Sequence, residues 1–135
     1  MKVNDTGAVK FSGDYFDEYL DQNLEAQVRK ETPVYSGVLM YFPDAIREIA
    51  RCSFAGNEQH NPGKPLHWDR AKSGDELDAL TRHLMEAGTI DKDGVRHSTK
   101  VAWRALANLQ KEIEDFNEDK ENIIKKIDTI SKDVL

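Results

Sequence analysis

The chain has 135 residues, 39% of them hydrophobic and 33% charged, with a net charge of -6 and a single cysteine. That length supports one domain with a real core and is short for two. No apolar run reaches bilayer length, the acidic balance excludes duplex nucleic acid as the main partner, and one cysteine excludes an internal disulfide. With no apolar stretch in Met1-Lys2-Val3-Asn4-Asp5-Thr6, the chain reads as cytoplasmic and free of any membrane.

The predicted elements are all helical. Residues 1–13 carry two glycines and no sustained period, which predicts a flexible arm. From Asp14 to Lys30 the apolar positions Tyr15, Phe16, Tyr19, Leu20, Leu24 and Val28 recur every three to four residues, a helical stripe that Thr32-Pro33 ends. Periodicity does not separate strand from buried turn over Ser36–Phe42, and a loop leading into a helix is expected there. Pro43-Asp44 then opens a helix whose expected buried stripe is Ala45, Ile46, Ile49, Ala50 and Phe54, with Gly56 marking its end.

Pro and Gly in Asn61-Pro62-Gly63-Lys64-Pro65 make the segment from Asn57 to Lys72 a loop. Ser73 with Glu76 three residues later spells a capping box, and Gly88 a left-handed stop, around a helix with Leu77, Leu80, Leu84 and Met85 inward. After the Asp93-Gly94 turn no Pro or Gly interrupts the chain. Ala102, Leu106, Leu109, Ile113, Phe116, Lys120, Ile123, Ile127, Ile130 and Val134 form a heptad-like seam broken at Lys120. The fold class is therefore all-α: a compact helical domain with a long C-terminal helix or a helical hairpin bent near Phe116-Asn117-Glu118-Asp119. Residues 116–135 are expected to join copies into a homo-oligomer, since a bare apolar stripe needs cover.

All four histidines and both tryptophans fall between Gly56 and Glu112, which points to a polar pocket with an aromatic wall. Glu58 and His60, with His83 and His97, offer mixed nitrogen and oxygen ligands for a divalent metal; the plain alternative is histidines hydrogen-bonded within the fold. Asp75, Glu76, Asp78, Glu112 and Asp115 form either a carboxylate cage for magnesium or a solvated helix face. Trp68, beside Asp69 and Arg70, suits a base-stacking platform or a hydrophobic plug. Lys64, Arg82, Arg96 and Arg104 supply cations for one nucleotide, and Arg104 and Asn108, one turn apart, share a face with His97.

The order Gly56 to His60, Trp68, the helix Leu77-Asp78-Ala79-Leu80-Thr81-Arg82-His83-Leu84, the Asp91/Asp93-Gly94-His97 turn and the Trp103 helix resembles the N-terminal domain of phage and prophage dATP/dGTP diphosphohydrolases. The resemblance spans roughly Tyr41 to Glu114, with Glu58, His60, Trp68, Arg82, His83, Asp93, His97 and Trp103 at matching positions. The Glu-Glu-x-x-Glu run of the MazG-type pyrophosphohydrolases is absent, and Glu112-Ile113-Glu114-Asp115 carries only a Glu-x-x-Asp half.

The resemblance implies a phage-type nucleotide-binding protein of the host cytoplasm that hydrolyses a purine (deoxy)nucleoside triphosphate to monophosphate and pyrophosphate with Mg2+ or Mn2+. The expected catalytic residues are Glu76, Asp78 and His83, and the expected metal ligands Glu58, Glu76 and Asp78. His60, Lys64, Trp68, Arg82, His97, Arg104 and Asn108 are expected to bind the small nucleotide ligand. The rival expectation is a non-catalytic sponge in which the same pocket sequesters a nucleotide second messenger of host antiviral immunity.

Overall fold

Backbone chemistry sets the helix boundaries in the computed structural model, which describes residues 2–3, 9–10, 22–72 and 74–134. Helix α1 spans Gln22–Lys30, α2 Pro43–His60, α3 Glu76–Leu84 and α4 His97–Val134. Among the described residues the fold is all-α apart from two short strands, β1 (Lys2–Val3) and β2 (Val9–Lys10), paired antiparallel with Lys2 opposite Lys10. The rest of the expected N-terminal arm, the 14–21 portion of the first expected helix and the cap residue Ser73 lie outside the described residues.

Two compact units divide the chain: one is Val38–Gln110, and the other joins Met1–Gly37 to Lys111–Leu135. In the second, α1 is half-buried at Leu24, Ala26 and Val28, and the Thr32 hydroxyl donates back to the Val28 carbonyl at 2.7 Å. The expected loop over Ser36–Phe42 is instead a π-helical turn at Tyr35–Leu39. Its Gly37 N–H donates to the Pro33 carbonyl at 2.7 Å.

Pro43 opens α2, where its missing N–H costs nothing. The helix does not stop at Gly56. It runs four residues further, because a mid-helix glycine costs only about 1 kcal/mol, and ends where Pro62 pushes Asn61 out of the helical region (φ -138°). The face turned inward also differs from the apolar stripe: Phe54 is 63% exposed, while Ile46, Ile49 and Ser53 are half-buried and Asn57 is buried. The outer face carries the ion pairs Arg47 to Asp44 and Arg51 to Glu48.

Helix α3 shows the same rotation. Of its expected core residues, Leu77 is 60% and Leu84 55% exposed and Met85 is open to solvent; Ala79 at 2% and Glu76 at 6% are buried instead. Positions 76, 79, 80 and 83 make the inner stripe, because Glu76 and His83 find polar partners inside and so fit where unpaired polar groups would not. Gly88, at φ 91°, closes a turn over Met85–Gly88 rather than directly capping the helix.

Residues 89–97 form a tight reversal. Ile90 bridges Arg96, the Asp91 N–H donates to the Val95 carbonyl, and the His97 N–H to the Thr89 carbonyl. Gly94 takes φ 81°, the left-handed conformation that this turn demands. From it emerges α4, 38 residues without interruption and about 57 Å long at 1.5 Å per residue. No hairpin forms at Phe116–Asp119, since the weaker helix formers there cost only tenths of a kcal/mol each.

The buried interior of the Val38–Gln110 unit is as polar as it is apolar: Ala79, Val95 and Ala107 beside Asn57, Glu76, His97 and Thr99. Asn57 shows why. Its Nδ2 donates to the Lys64 carbonyl at 3.0 Å and its Oδ1 accepts from the His67 N–H at 3.2 Å. One side chain thereby folds the proline-glycine loop back onto α2. Asn57→Ala removes both bonds that hold the loop to α2 and should lower unfolding free energy by about 1–3 kcal/mol. Chemical denaturation checks this, with the exposed Arg47→Ala expected within about 0.5 kcal/mol of the parent.

Candidate functional site

The folded loop over Asn61–Lys72, the inner face of α2, α3 and the first turns of α4 enclose a cavity of about 770 Å3. Its aromatic wall is made by two tryptophans in an edge-to-face pair, Trp68 and Trp103, with centroids 5.7 Å apart and planes at 81°. Trp103 is fixed by its indole N–H, which donates to Ser53 Oγ on α2 at 2.8 Å. Guanidinium groups lie over both rings, Arg70 at 4.3 Å from Trp68 and Arg104 at 5.6 Å from Trp103. Arg104 also faces the buried Glu76 carboxylate at 3.6 Å. Aromatic faces edged by guanidinium suit a planar base carrying an anionic tail.

Carboxylates lining the cavity each meet a cation: Asp69 pairs with Lys72 at 3.3 Å, Asp75 with Arg82 at 3.1 Å and Asp93 with Lys100 at 2.7 Å. The Arg82 hydrogen bond holds the Asp75 carboxyl below its ordinary range. Burial pushes the thiol of Cys52, also on the cavity wall, upward, so it stays protonated at neutral pH.

At one side of the cavity the 89–97 turn is tied to α4. The Lys100 ammonium donates to Asp91 Oδ2 and Asp93 Oδ2, both at 2.7 Å. Burial works against the charge on Lys100, but the two carboxylates outweigh it and raise its pKa. Asp91 is held down to about 2, first by the Lys100 hydrogen bond and then by the Lys92 N–H. For Asp93 burial is the largest influence and raises the pKa, yet Lys100 and the Val95 N–H together leave it lowered.

Beside this bridge the Nδ1 atoms of His83 and His97 stand 2.9 Å apart. One ring nitrogen of His83, one of His97 and an Asp91 oxygen form a set of ligand-type atoms all within 4.8 Å of one another. Burial, then the nearby Lys100 charge, lowers the His83 pKa and keeps that imidazole neutral.

Of the residues proposed from sequence, His60, Trp68, His83 and Arg104 line the cavity. His97 is buried behind His83, and Glu76 is buried against Arg104. Glu58 and Asp78 are exposed on α2 and α3, Lys64 is exposed in the loop with its carbonyl taken by Asn57, and Arg82 pairs with Asp75. Asn108 is half-buried on α4, outside the cavity lining. Glu58, Glu76 and Asp78 are not brought together as a ligand set; His83, Asp91 and His97 are. Sequence reasoning passed over Ser53, Asn57 and Lys100. The last carries a signal: a cation in the first turn of a helix opposes the macrodipole and requires acidic partners nearby.

A family model described as dATP/dGTP diphosphohydrolase, N-terminal, matches residues 23–121. No curated protein and no solved structure matches the chain.

The Asp91 bridge makes stability depend on acid. A carboxyl at about 2 when folded and about 3.9 when unfolded contributes stability that is complete above pH 4 and lost as pH falls toward 2. Asp91→Asn should therefore lower the melting temperature at pH 6. The difference from the parent should shrink between pH 4 and pH 2, as melting curves across that range will show.

Proposed function

The chain belongs to the dATP/dGTP diphosphohydrolase N-terminal family, whose model covers residues 23–121, and from that premise we propose that it binds a purine (deoxy)nucleoside triphosphate and hydrolyses it to monophosphate and pyrophosphate. The observation that carries this reading is the 770 Å3 cavity walled by Trp68 and Trp103 and edged by Arg104. The base lies against the tryptophans, and Arg104 neutralises phosphate charge as it develops. A divalent cation, Mg2+ or Mn2+, supplies polarisation of the phosphoryl oxygens when bound. The nitrogen and oxygen donors of His83, Asp91 and His97 are chemically suited to holding a divalent cation beside these groups.

One observation favours sequestration without turnover. The cavity carboxylates Asp69, Asp75 and Asp93 are each paired with a cation of the chain itself. A pocket of satisfied carboxylates, aromatic faces and guanidinium can capture a nucleotide messenger and leave it intact. Incubation with dATP or dGTP, with and without Mg2+ or Mn2+, followed by chromatography separates the two. Hydrolysis predicts metal-dependent appearance of monophosphate and pyrophosphate; sequestration predicts bound nucleotide recovered whole. Under either reading Trp68→Ala should weaken nucleotide binding at least tenfold, about 1.4 kcal/mol, in a calorimetric titration. Unchanged affinity removes the tryptophan wall from the site.

The same reading extends to assembly. Ile123, Ile127, Ile130 and Val134 lie exposed along α4, and covering each aliphatic side chain is worth roughly 1.5–3 kcal/mol. A second copy of the helix supplies that cover most simply, through a two-fold contact. Ile127→Glu in the full chain should then reduce the mass measured by light scattering to that of a monomer. A monomeric parent, or a mass unchanged by the substitution, overturns the seam as an interface.

A further inference from the structure

Two buried or half-buried imidazoles facing one another through the same type of nitrogen call for explanation. His97 is 6% exposed and its Nδ1 stands 2.9 Å from that of His83, while an Asp91 oxygen completes the trio. We propose that His83, Asp91 and His97 bind one six-coordinate divalent transition cation of the manganese-to-nickel group, with its remaining coordination positions open to the nucleotide cavity. Its use in hydrolysis rests on the function proposed above; the site itself rests on the geometry of the three side chains.

Two nitrogens 2.9 Å apart, each about 2.1 Å from a shared cation, would subtend about 90° at it, so an octahedral ion fits with little movement of either ring. The donor types select the element, since two imidazoles and a carboxylate suit first-row transition ions, whereas magnesium favours oxygen alone. Three protein ligands leave three positions for water or phosphate oxygens, and of the three ligands His83 lines the cavity, so the site adjoins the cavity through that ring.

The surroundings hold the ligands in place as metal sites require. Asp91 Oδ1 accepts from the Lys92 N–H and Oδ2 from Lys100, both at 2.7 Å, which fixes the carboxylate while leaving lone pairs for a further bond. His97 Nε2 lies 3.6 Å from the exposed Glu86 carboxylate, which favours the proton on that nitrogen and leaves Nδ1 to accept from His83. His83 then donates from Nδ1 to His97, and ligation requires only that this proton move to His83 Nε2. Charge agrees as well. Glu86 lies 3.6 Å from His97, and Asp93 shares the Lys100 ammonium with Asp91, so carboxylates that favour a cation stand beside the trio.

The test is titration of the chelator-stripped full-length protein with MnCl2 in the absence of nucleotide, followed by calorimetry. One ion should bind per chain, His83→Gln and Asp91→Asn should each weaken it at least tenfold with the circular dichroism spectrum retained, and excess MgCl2 should not displace it. Bound Co2+ should show the weak visible absorption of a six-coordinate ion. Absence of Mn2+ binding by the parent, or parental affinity in both variants, overturns the site, and intense tetrahedral Co2+ bands or ready displacement by Mg2+ overturn the assigned cation class. Nucleotide capture without Mn2+ binding defeats this inference alone; Mn2+ binding without nucleotide capture defeats the function proposed above and leaves the metal site standing.

Discussion

The ammonium of Lys100, 2.7 Å from both Asp91 and Asp93, is the constraint on which the rest of the Val38–Gln110 unit depends. It sits in the first turn of α4, where the helix dipole disfavours a cation, so it forms only because two aspartates of the preceding turn surround it. In doing so it fixes the direction in which α4 leaves the 89–97 turn. That direction places His97 against His83 and, two turns along, Trp103 against Ser53 and Trp68. One local electrostatic knot thereby orders both the imidazole trio and the aromatic wall.

The sequence displayed much of this frame and hid its inner face. Pro43, Gly94 and the unbroken run into α4 announced helix starts and turns, because proline and glycine act through local backbone sterics that need no partner. The grouping of His and Trp also announced a polar, aromatic pocket. What did not show was which side of α2 and α3 points inward. Hydropathy patterns assume that apolar residues face the core, but Asn57, Glu76 and His83 take those positions and leave Phe54, Leu77 and Leu84 outside. Their burial is tolerable only through bonds to Lys64, His67, Arg104 and His97, and such long-range pairing has no signature in periodicity. Asp91 read as a turn residue for the same reason: its neighbour in space, His83, is eight positions away and on another element.

A polar interior has a functional logic. A small unit that fills its centre with hydrogen-bonded and ionic groups gives up some hydrophobic stabilisation, yet gains side chains whose positions are fixed before any ligand arrives. Guanidinium over indole, amide clamping a loop and carboxylate holding ammonium are all directional contacts. They resist rearrangement more than an oily core does, so the cavity presents its donors and aromatic rings at set distances.

The single bond between Trp103 and Ser53 has a consequence in time as well as in space. The lysine and histidine contacts that build the α3, turn and α4 segment join residues seven to fourteen positions apart, whereas the indole reaches across fifty. Closing short loops costs less chain entropy than closing long ones, so the histidine and lysine contacts can form from a nearly unstructured chain while the tryptophan contact waits for two helices to meet. On this ordering the aromatic wall is the last feature acquired on folding and the first released when the unit opens. Tryptophan fluorescence then reports the closing of the cavity rather than the formation of its helices.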